Sequence, residues 1–179
     1  MKELETKRLL LRKVTLDDAE ELFNNWSSDV NTTKFLTFKT HETISEIIKF
    51  INNWINKYER GGFEWAIELK ENHQVIGMIS VDKSYKYKCA EIGYSISSKY
   101  WNLGLTTEAL NEVIKYLFEE CDFNIIEAII PSSNIGSIKV AEKCGLTLEA
   151  ILKDRYKDKE NNVQNLFNYS IFKGSGNNE

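Results

Sequence analysis

Proline is almost missing from this chain: Pro131 is the single one among 179 residues, against a usual share of about 5%. Proline-rich linkers are thereby excluded, and the one proline marks a position of interest. Cysteine is scarce and odd in number. Cys89, Cys121 and Cys144 are widely spaced and form no Cys-x-x-Cys, which suits a reducing compartment, the cytoplasm, better than a disulfide framework. The two histidines, His41 and His73, stand apart from every cysteine, so no metal is expected. Long apolar runs are lacking as well. The longest early one, Leu9-Leu10-Leu11, is too short for a signal segment or a membrane span. Nor is there an excess of positive charge: the net charge is −4 and the pI near 5.4. That gives no bulk attraction to nucleic acid or to anionic membranes, and neither is expected as a direct partner.

What is present points to one folded domain. The length falls in the common domain range of roughly 100–200 residues. A 42% hydrophobic and 12% aromatic composition is wrong for a chain that cannot collapse. No linker, internal repeat or low-complexity segment divides it, so the expected organisation is a single domain over 1–173 with a flexible tail over 174–179.

Lys7 to Val14 reads as a first strand. Thr15 then caps a helix in which Leu16, Ala19, Phe23 and Trp26 keep helical spacing, so Trp26 reads as core. Thr43-x-x-Glu46 is a capping-box pattern opening a second helix, whose stripe of Ile44, Ile47, Ile48, Ile51, Ile55 and Tyr58 ends at Gly61-Gly62. Strand-like runs follow at Glu64 to Leu69, Val75 to Val81 and Cys89 to Ser97. Helical period returns from Leu105 to Glu119, with Ala109, Leu110, Val113, Leu117 and Phe118 inward. Asn124 to Ile130 is a nearly continuous apolar run that stops at Pro131, as in a strand covered on both faces. A short helix spans Asn134 to Cys144 with Gly145 at its C′ position, and Thr147 to Leu152 with Leu166 to Phe172 completes the sheet as an antiparallel pair. The order β-α-α-β-β-β-α-β-α-β-β predicts a mixed α/β (α+β) domain, with a central sheet of about six to seven strands and about four helices.

The common nucleotide signatures are missing: there is no Gly-x-x-x-x-Gly-Lys and no usable Gly-x-Gly-x-x-Gly. Instead, the strand Ala90-Glu91-Ile92-Gly93-Tyr94-Ser95-Ile96-Ser97 leads to Tyr100-Trp101-Asn102-Leu103-Gly104-Leu105-Thr106-Thr107-Glu108-Ala109 at the opening of a helix. A turn feeding a helix N-terminus presents unpaired N–H groups and the positive dipole end, which together bind phosphate oxygens. Gly104 permits close backbone approach, and Asn102 tolerates left-handed geometry. About thirty residues on, Asn134-Ile135-Gly136-Ser137 opens a second helix that ends Glu142-Lys143-Cys144-Gly145-Leu146.

These segments resemble a Gcn5-related N-acetyltransferase (GNAT). Tyr100 to Ala109 is similar to the family's acetyl-CoA pyrophosphate loop, and Asn134-x-x-Ser137 through Lys143-x-Gly145 to its second motif. Thr6-Lys7-Arg8-Leu9-Leu10-Leu11-Arg12, Trp65-Ala66-Ile67 and Val75-Ile76-Gly77 resemble the RimJ/RimL-like branch. Together they cover nearly the whole chain in the family's order. Trp101 and Thr106 stand where the loop pattern has Gln or Arg and Gly or Ala.

The resemblance implies a GNAT-like domain that transfers acetyl from acetyl-CoA directly to a primary amine, with no covalent enzyme intermediate. It implies cofactor contacts from Ile96, Trp101, Asn102, Leu103, Gly104, Leu105, Thr106, Thr107, Asn134 and Ser137, with a backbone N–H near Ile96 facing the thioester carbonyl. Two residues are the catalytic candidates. Glu91 is a general base acting through water or a solvated strand carboxylate; Ser137 protonates the leaving thiolate or is an ordinary first-turn serine. Tyr94 and Tyr156 are secondary acids or structural. Lys143 reaches phosphate or favours the helix dipole. Glu64, Glu91 and the Asp154/Asp158 loop either line a groove for a cationic acceptor or are plain surface charges.

An α-amino group with pKa near ~8 is neutral for about a tenth at pH 7, a cost of roughly 1 kcal/mol, whereas a Lys-like amine near ~10.4 costs about 4–5 kcal/mol. One carboxylate suits the α-amine better. The leading expectation is therefore N-terminal acetylation of a protein, of the ribosomal-protein type, by a monomer or homodimer. The alternatives are acetylation of a small amine (polyamine, aminoglycoside or amino acid) and a non-catalytic acyl-CoA-binding module.

Overall fold

The computed structural model describes residues 1–174; the tail expected over 174–179 lies outside them apart from Gly174. Eight strands and five α-helices occur among the described residues, in the order β1 (Leu4–Glu5), β2 (Leu9–Arg12), α1 (Ala19–Leu22), α2 (Val30–Thr33), α3 (Ile44–Glu59), β3 (Phe63–Leu69), β4 (Val75–Ser84), β5 (Cys89–Ile96), α4 (Leu105–Glu119), β6 (Ile125–Pro131), α5 (Ile135–Lys143), β7 (Thr147–Lys157) and β8 (Val163–Phe172). The strands are hydrogen-bonded in the order β1-β2-β3-β4-β5-β6-β8-β7. The β5–β6 pair is parallel, while β2–β3, β3–β4, β6–β8 and β7–β8 are antiparallel. The mixed α/β class is as expected, but the counts are not: eight strands replace six to seven, and five helices replace four. The extra strand, β1, is a two-residue pairing of Leu4 with Leu11 and Glu5 with Leu10, too short to show a period. The extra helix, α2, is a single turn capped by Asp29, whose side chain accepts from the Asn31 amide.

The described chain groups into two compact units. The first comprises Met1–Val81 and Tyr94–Glu112. Its core holds Val14, Leu22, Trp26, Ile47, Ile51, Ala66 and Met78, so the helical spacing of Trp26 marked burial correctly. Leu16 does not follow that spacing and is 50% exposed. The segment is a 3₁₀ turn over Leu16–Asp18, then α1, then a π-turn over Phe23–Ser27, and each change of pitch breaks the 3.6-residue period. α3 starts where its capping box places it, with the Glu46 carboxylate accepting from the amides of Glu42 and Thr43. It stops at Gly61 (φ 74), after which the Gly62 amide returns to the Lys57 carbonyl at 2.7 Å.

The second unit comprises Asp82–Gly93 and Val113–Glu179. β6 is held from both sides, parallel to β5 at Cys89↔Ile125, Ala90↔Ile126 and Glu91↔Glu127, and antiparallel to β8 from Ile125↔Phe172 to Pro131↔Leu166. Pro131 is therefore the last residue of the strand rather than its stop, and the β5–β6 register ends at Glu127, before it. β7 and β8 run longer than the apolar pattern predicts. Their hairpin turns on Asp158, whose Oδ1 accepts from the amides of Glu160 and Asn162. α5 has Asn134 as N-cap, Oδ1 accepting from the Ser137 amide at 3.3 Å, and is followed by Gly145 at φ 84.

Candidate active site

In the first unit, the turn between β5 and α4 is built from left-handed backbone. Asn102 has φ 61 and Gly104 φ 74, a conformation that asparagine tolerates and glycine adopts freely. The first helical bond of α4 runs from the Glu108 amide to the Gly104 carbonyl at 3.0 Å. The amides of Leu105 and Thr106 precede it and point out of the helix N-terminus, where anions are favoured. This arrangement fits a pyrophosphate.

Trp101 and Arg8 hold that turn in place. The Trp101 indole Nε1 donates to the Ile96 carbonyl at 3.0 Å, which ties the turn back to the end of β5 and leaves the ring 47% exposed. Arg8, the residue before β2, donates through Nη1 to the Leu103 carbonyl at 3.0 Å and through Nε to Glu108 Oε2 at 2.7 Å. The Arg8 amide and the Thr6 hydroxyl both donate to the other oxygen of Glu108, at 2.8 and 2.6 Å. Partial burial opposes ionisation, but these hydrogen bonds hold the Glu108 carboxyl below its usual range. On Gly104 an added Cβ would meet a single neighbour within 4 Å, Arg8 Nη2 at 3.7 Å, so a guanidinium edge lies beside the turn.

Gly77 positions the preceding strand end. A Cβ there would come within 2.3 Å of the Ser95 carbonyl oxygen and 2.8 Å of Ile96 Cα, so only glycine lets β4 and β5 approach this closely. Ile96 is buried, and the next amide, that of Ser97, donates to the Ile76 carbonyl at 2.8 Å. A thioester-facing amide in this stretch is thus not that of Ser97. Leu103 is exposed, Leu105 is buried, and Thr106 and Thr107 are half-buried in the first turn of α4.

In the second unit, Glu91 lies on β5 in register with Glu127 of β6. Although the residue is open to solvent, desolvation first, then Glu127 and Asp82, hold its carboxyl above the usual range. Glu127 accepts from the Cys89 thiol at 3.3 Å and from Asn168 Nδ2 at 3.2 Å. Burial and that acidic company push the Cys89 thiol up to about 12, so it is a neutral donor, not a nucleophile. Asn134 and Ser137 are half-buried at the start of α5.

Other candidates take structural places. Glu64 is 1% exposed and paired with Lys57 at 2.6 Å, which removes it from any groove. Asp158 is spent on its hairpin turn. Tyr156 lies opposite Gln164 on β7, its hydroxyl pushed up by burial and Asp158, and Tyr94 lies on β5. Lys143 is the last residue of a nine-residue helix, roughly 13 Å from the end that Asn134 caps, so it serves the dipole. Among the described residues, no group of three or more His, Cys, Asp or Glu is arranged to hold a metal ion, and no helix is long and apolar enough to cross a membrane.

Two features of these regions escape a reading of the sequence. Glu127 is the single acid in the apolar run Ile125 to Pro131, and that interruption was the available signal. The Arg8–Glu108 contact joins residues 100 apart and left none.

A family model described as an acetyltransferase (GNAT) domain matches residues 8–147. The chain is 32% identical over 152 residues to an uncharacterized N-acetyltransferase, YoaA, of Bacillus subtilis, covering 84% of this chain and 85% of that one. It is 30% identical over 177 residues to another, p20 of Bacillus licheniformis, covering 97% of each. Among solved structures, a GNAT-family acetyltransferase from Bacillus anthracis superimposes with a TM-score of 0.85 at 26% identity, over 96% of this chain and 99% of that one. At lower identity the fold is shared with a ribosomal-protein-S5-alanine acetyltransferase from Vibrio fischeri (19%, TM-score 0.84, 98% of each chain). It is shared too with a spermidine N-acetyltransferase from Vibrio cholerae in complex with CoA and spermine (18%, TM-score 0.81, 97% of this chain and 100% of that one).

Proposed function

Because the chain belongs to the acetyltransferase (GNAT) family and is an acetyl-CoA-dependent N-acetyltransferase, we propose that it is of the RimJ/RimL type and acetylates a protein N-terminal α-amine. Residues 1–173 act as its one catalytic domain, in the cytoplasm, as a monomer or homodimer; three widely spaced cysteines with no Cys-x-x-Cys suit that compartment.

The observation that carries the reading is the Glu91 carboxyl, raised above its usual range. A raised carboxyl narrows the gap to any ammonium, and the α-ammonium, whose deprotonation at pH 7 costs roughly 1 kcal/mol against about 4–5 kcal/mol for a lysine-like one, is the acceptor that a single carboxylate serves more readily. Glu91 takes the acceptor's proton through a water. Ser137, half-buried at the opening of α5, donates to the leaving sulfur. Trp101 to Thr107 hold the cofactor phosphates through backbone N–H groups and the helix dipole. Ile96 of the first unit and Asn134 of the second each contribute a cofactor contact. Acetyl-CoA, when bound, supplies the thioester that the neutral amine attacks.

A second reading, a small amine such as a polyamine, aminoglycoside or amino acid, draws on the acids gathered around Glu91, namely Asp82 and Glu127. Its fold mate from Vibrio cholerae is a spermidine acetyltransferase.

The test is CoA release with peptides of varied N-terminus beside spermine and an aminoglycoside. Turnover with peptides alone upholds the proposal; turnover with the small amines alone replaces it with the second reading. Ser137→Ala is expected to lower kcat about tenfold or more while acetyl-CoA binding is kept. Equal loss in both would remove the acid role from Ser137.

A further inference from the structure

The end of β5 is held from more directions than a strand end requires. The β5–β6 register stops at Glu91, so Tyr94 to Ile96 lies beyond it, with β4 as the remaining neighbour in the sheet. Such a segment is of the kind that frays. Here, instead, several hydrogen bonds close on Ser95 to Ser98. Trp26 Nε1 donates to Ser95 Oγ at 3.1 Å, and Trp101 Nε1 to the Ile96 carbonyl at 3.0 Å. The Ser97 amide donates to the Ile76 carbonyl and the Ser98 amide to Thr32 Oγ1, both at 2.8 Å. Thr32 is fixed in turn, its hydroxyl donating to Asp29 Oδ2 at 2.6 Å.

The bond from Trp26 is the one that neither the sheet nor the cofactor turn accounts for. Trp26 lies in the π-turn Phe23–Ser27, a rare pitch that occurs mostly at functional sites. Its side chain is buried and packs on Phe38 and Trp54, with ring centroids 5.4 and 6.2 Å away. The indole has little room to turn, so the Ser95 hydroxyl is set by it. Burial alone is served as well by phenylalanine, which needs no acceptor on β5, whereas a buried indole N–H does. The backbone of the same residue is gripped too: a Cβ on Gly77 would come within 2.3 Å of the Ser95 carbonyl oxygen.

We propose that Trp26 is a positioning residue for acetyl transfer, acting through Ser95. Its N–H fixes the Ser95 hydroxyl and, with it, the backbone that leads into Ile96. The N–H near Ile96 is expected to meet the thioester oxygen, where negative charge grows as the amine attacks. A small displacement of that donor costs rate rather than cofactor affinity, because the ground-state carbonyl carries little of the charge. The proposal deepens the acetyltransferase reading and rests on it. Because Trp26 acts only by way of Ser95, the two behave as one unit, and losing either does what losing both does.

The experiment compares the full chain with Trp26→Phe, Ser95→Ala, the double variant and Ser95→Thr, by CoA release with an alanine-initiated hexapeptide and with spermine, and by amide hydrogen exchange. Trp26→Phe keeps the ring and loses the N–H. Ser95→Ala, at a half-buried position, stands in for it if the tryptophan variant does not fold. Each single change is expected to lower kcat about tenfold while the acetyl-CoA KM stays within about twofold. The double variant should lose no more than either single one, and Ser95→Thr, which keeps the hydroxyl, should stay within about threefold of the parent. Exchange at the Ser97 and Ser98 amides should quicken about tenfold in Ser95→Ala, with none at Leu110 in the middle of α4. A kcat unchanged in Ser95→Ala, losses that multiply in the double variant, or an acetyl-CoA KM that rises as far as kcat falls would overturn the positioning role. So would exchange that quickens equally at Leu110, the mark of a general loss of stability. Turnover by the parent with kcat intact in the variants sinks the positioning role alone. A parent that acetylates neither amine, while exchange at Ser97 quickens in Ser95→Ala, defeats the acetyltransferase reading and leaves the Trp26–Ser95 linkage standing.

Discussion

Ahead of α4, charge is balanced and geometry is fixed from several sides; on the face shared by β5, β6 and β8, neither holds. Arg8 meets Glu108, Trp101 returns to Ile96, and left-handed backbone at Asn102 and Gly104 sets the path of the turn. Such a region offers backbone N–H groups to an anion. Around Glu91 the carboxylates are answered by a thiol and an amide, and a hydroxyl is left over. A region like that gains most from a ligand. The contrast is between a turn that offers backbone N–H groups to an anion and a strand face that carries paired carboxylates.

The largest expected effect comes from removing the charge of the second region. Glu91→Gln should lower kcat by about 10²–10⁴-fold, the usual worth of a positioned base, with the acetyl-CoA KM unchanged. It should also alter stability in a pH-dependent way. Glu91 has its folded-state carboxyl raised, so its contribution to stability is present below the unfolded value, about 4.3, and is lost as pH rises through the folded one. The glutamine variant should therefore melt higher than the parent at pH 8, and the difference should vanish near pH 4. A variant that melts lower at pH 8 would mean that the ionised Glu91 carboxyl gains more from its surroundings than burial and its acidic neighbours cost it.

Breaking the first region is expected to cost less. Arg8→Ala removes the bonds to Leu103 and Glu108, although the backbone amide of residue 8 can still reach the carboxylate. Arg8 is 44% exposed, so the ion pair is worth about 1 kcal/mol or less in stability. Loss of the clamp on the turn should nonetheless raise the acetyl-CoA KM by about tenfold, since small displacements of a positioned site are costly. Equal, small changes in melting and in KM would show that the turn holds its shape without Arg8.

These two regions also differ in how readable they are. The left-handed turn, the start of α4 at Leu105, the Asn134 cap and Gly145 are local events, each set by residues within one turn of the chain. Their residue types announce them. The pairing of Glu91 with Glu127 depends on the register of two strands brought together through α4, and no local pattern encodes register. Arg8 and Glu108, 100 residues apart, meet for the same non-local reason. β1 was invisible because two residues cannot display alternation. The outer ends of β7 and β8 were invisible because they are polar and solvent-facing, where strand formation rests on pairing and on the Asp158 turn rather than on burial.

Pro131 gives the smallest effect and the sharpest check on where the two strands part. From rarity and position, it looks like the device that ends sheet pairing next to the cofactor. The register says otherwise: β5 and β6 part after Glu127, and Pro131 still sits opposite Leu166 of β8. Its carbonyl accepts from the Asn134 amide at 2.8 Å, a bond that any residue supplies. What proline adds is a restricted unfolded chain, so Pro131→Ala should cost about 0.4–1 kcal/mol and leave the acetyl-CoA KM within about twofold, the mutated backbone keeping its carbonyl in place. A larger change in KM than in melting temperature would return to Pro131 the role that its position in β6 denies it.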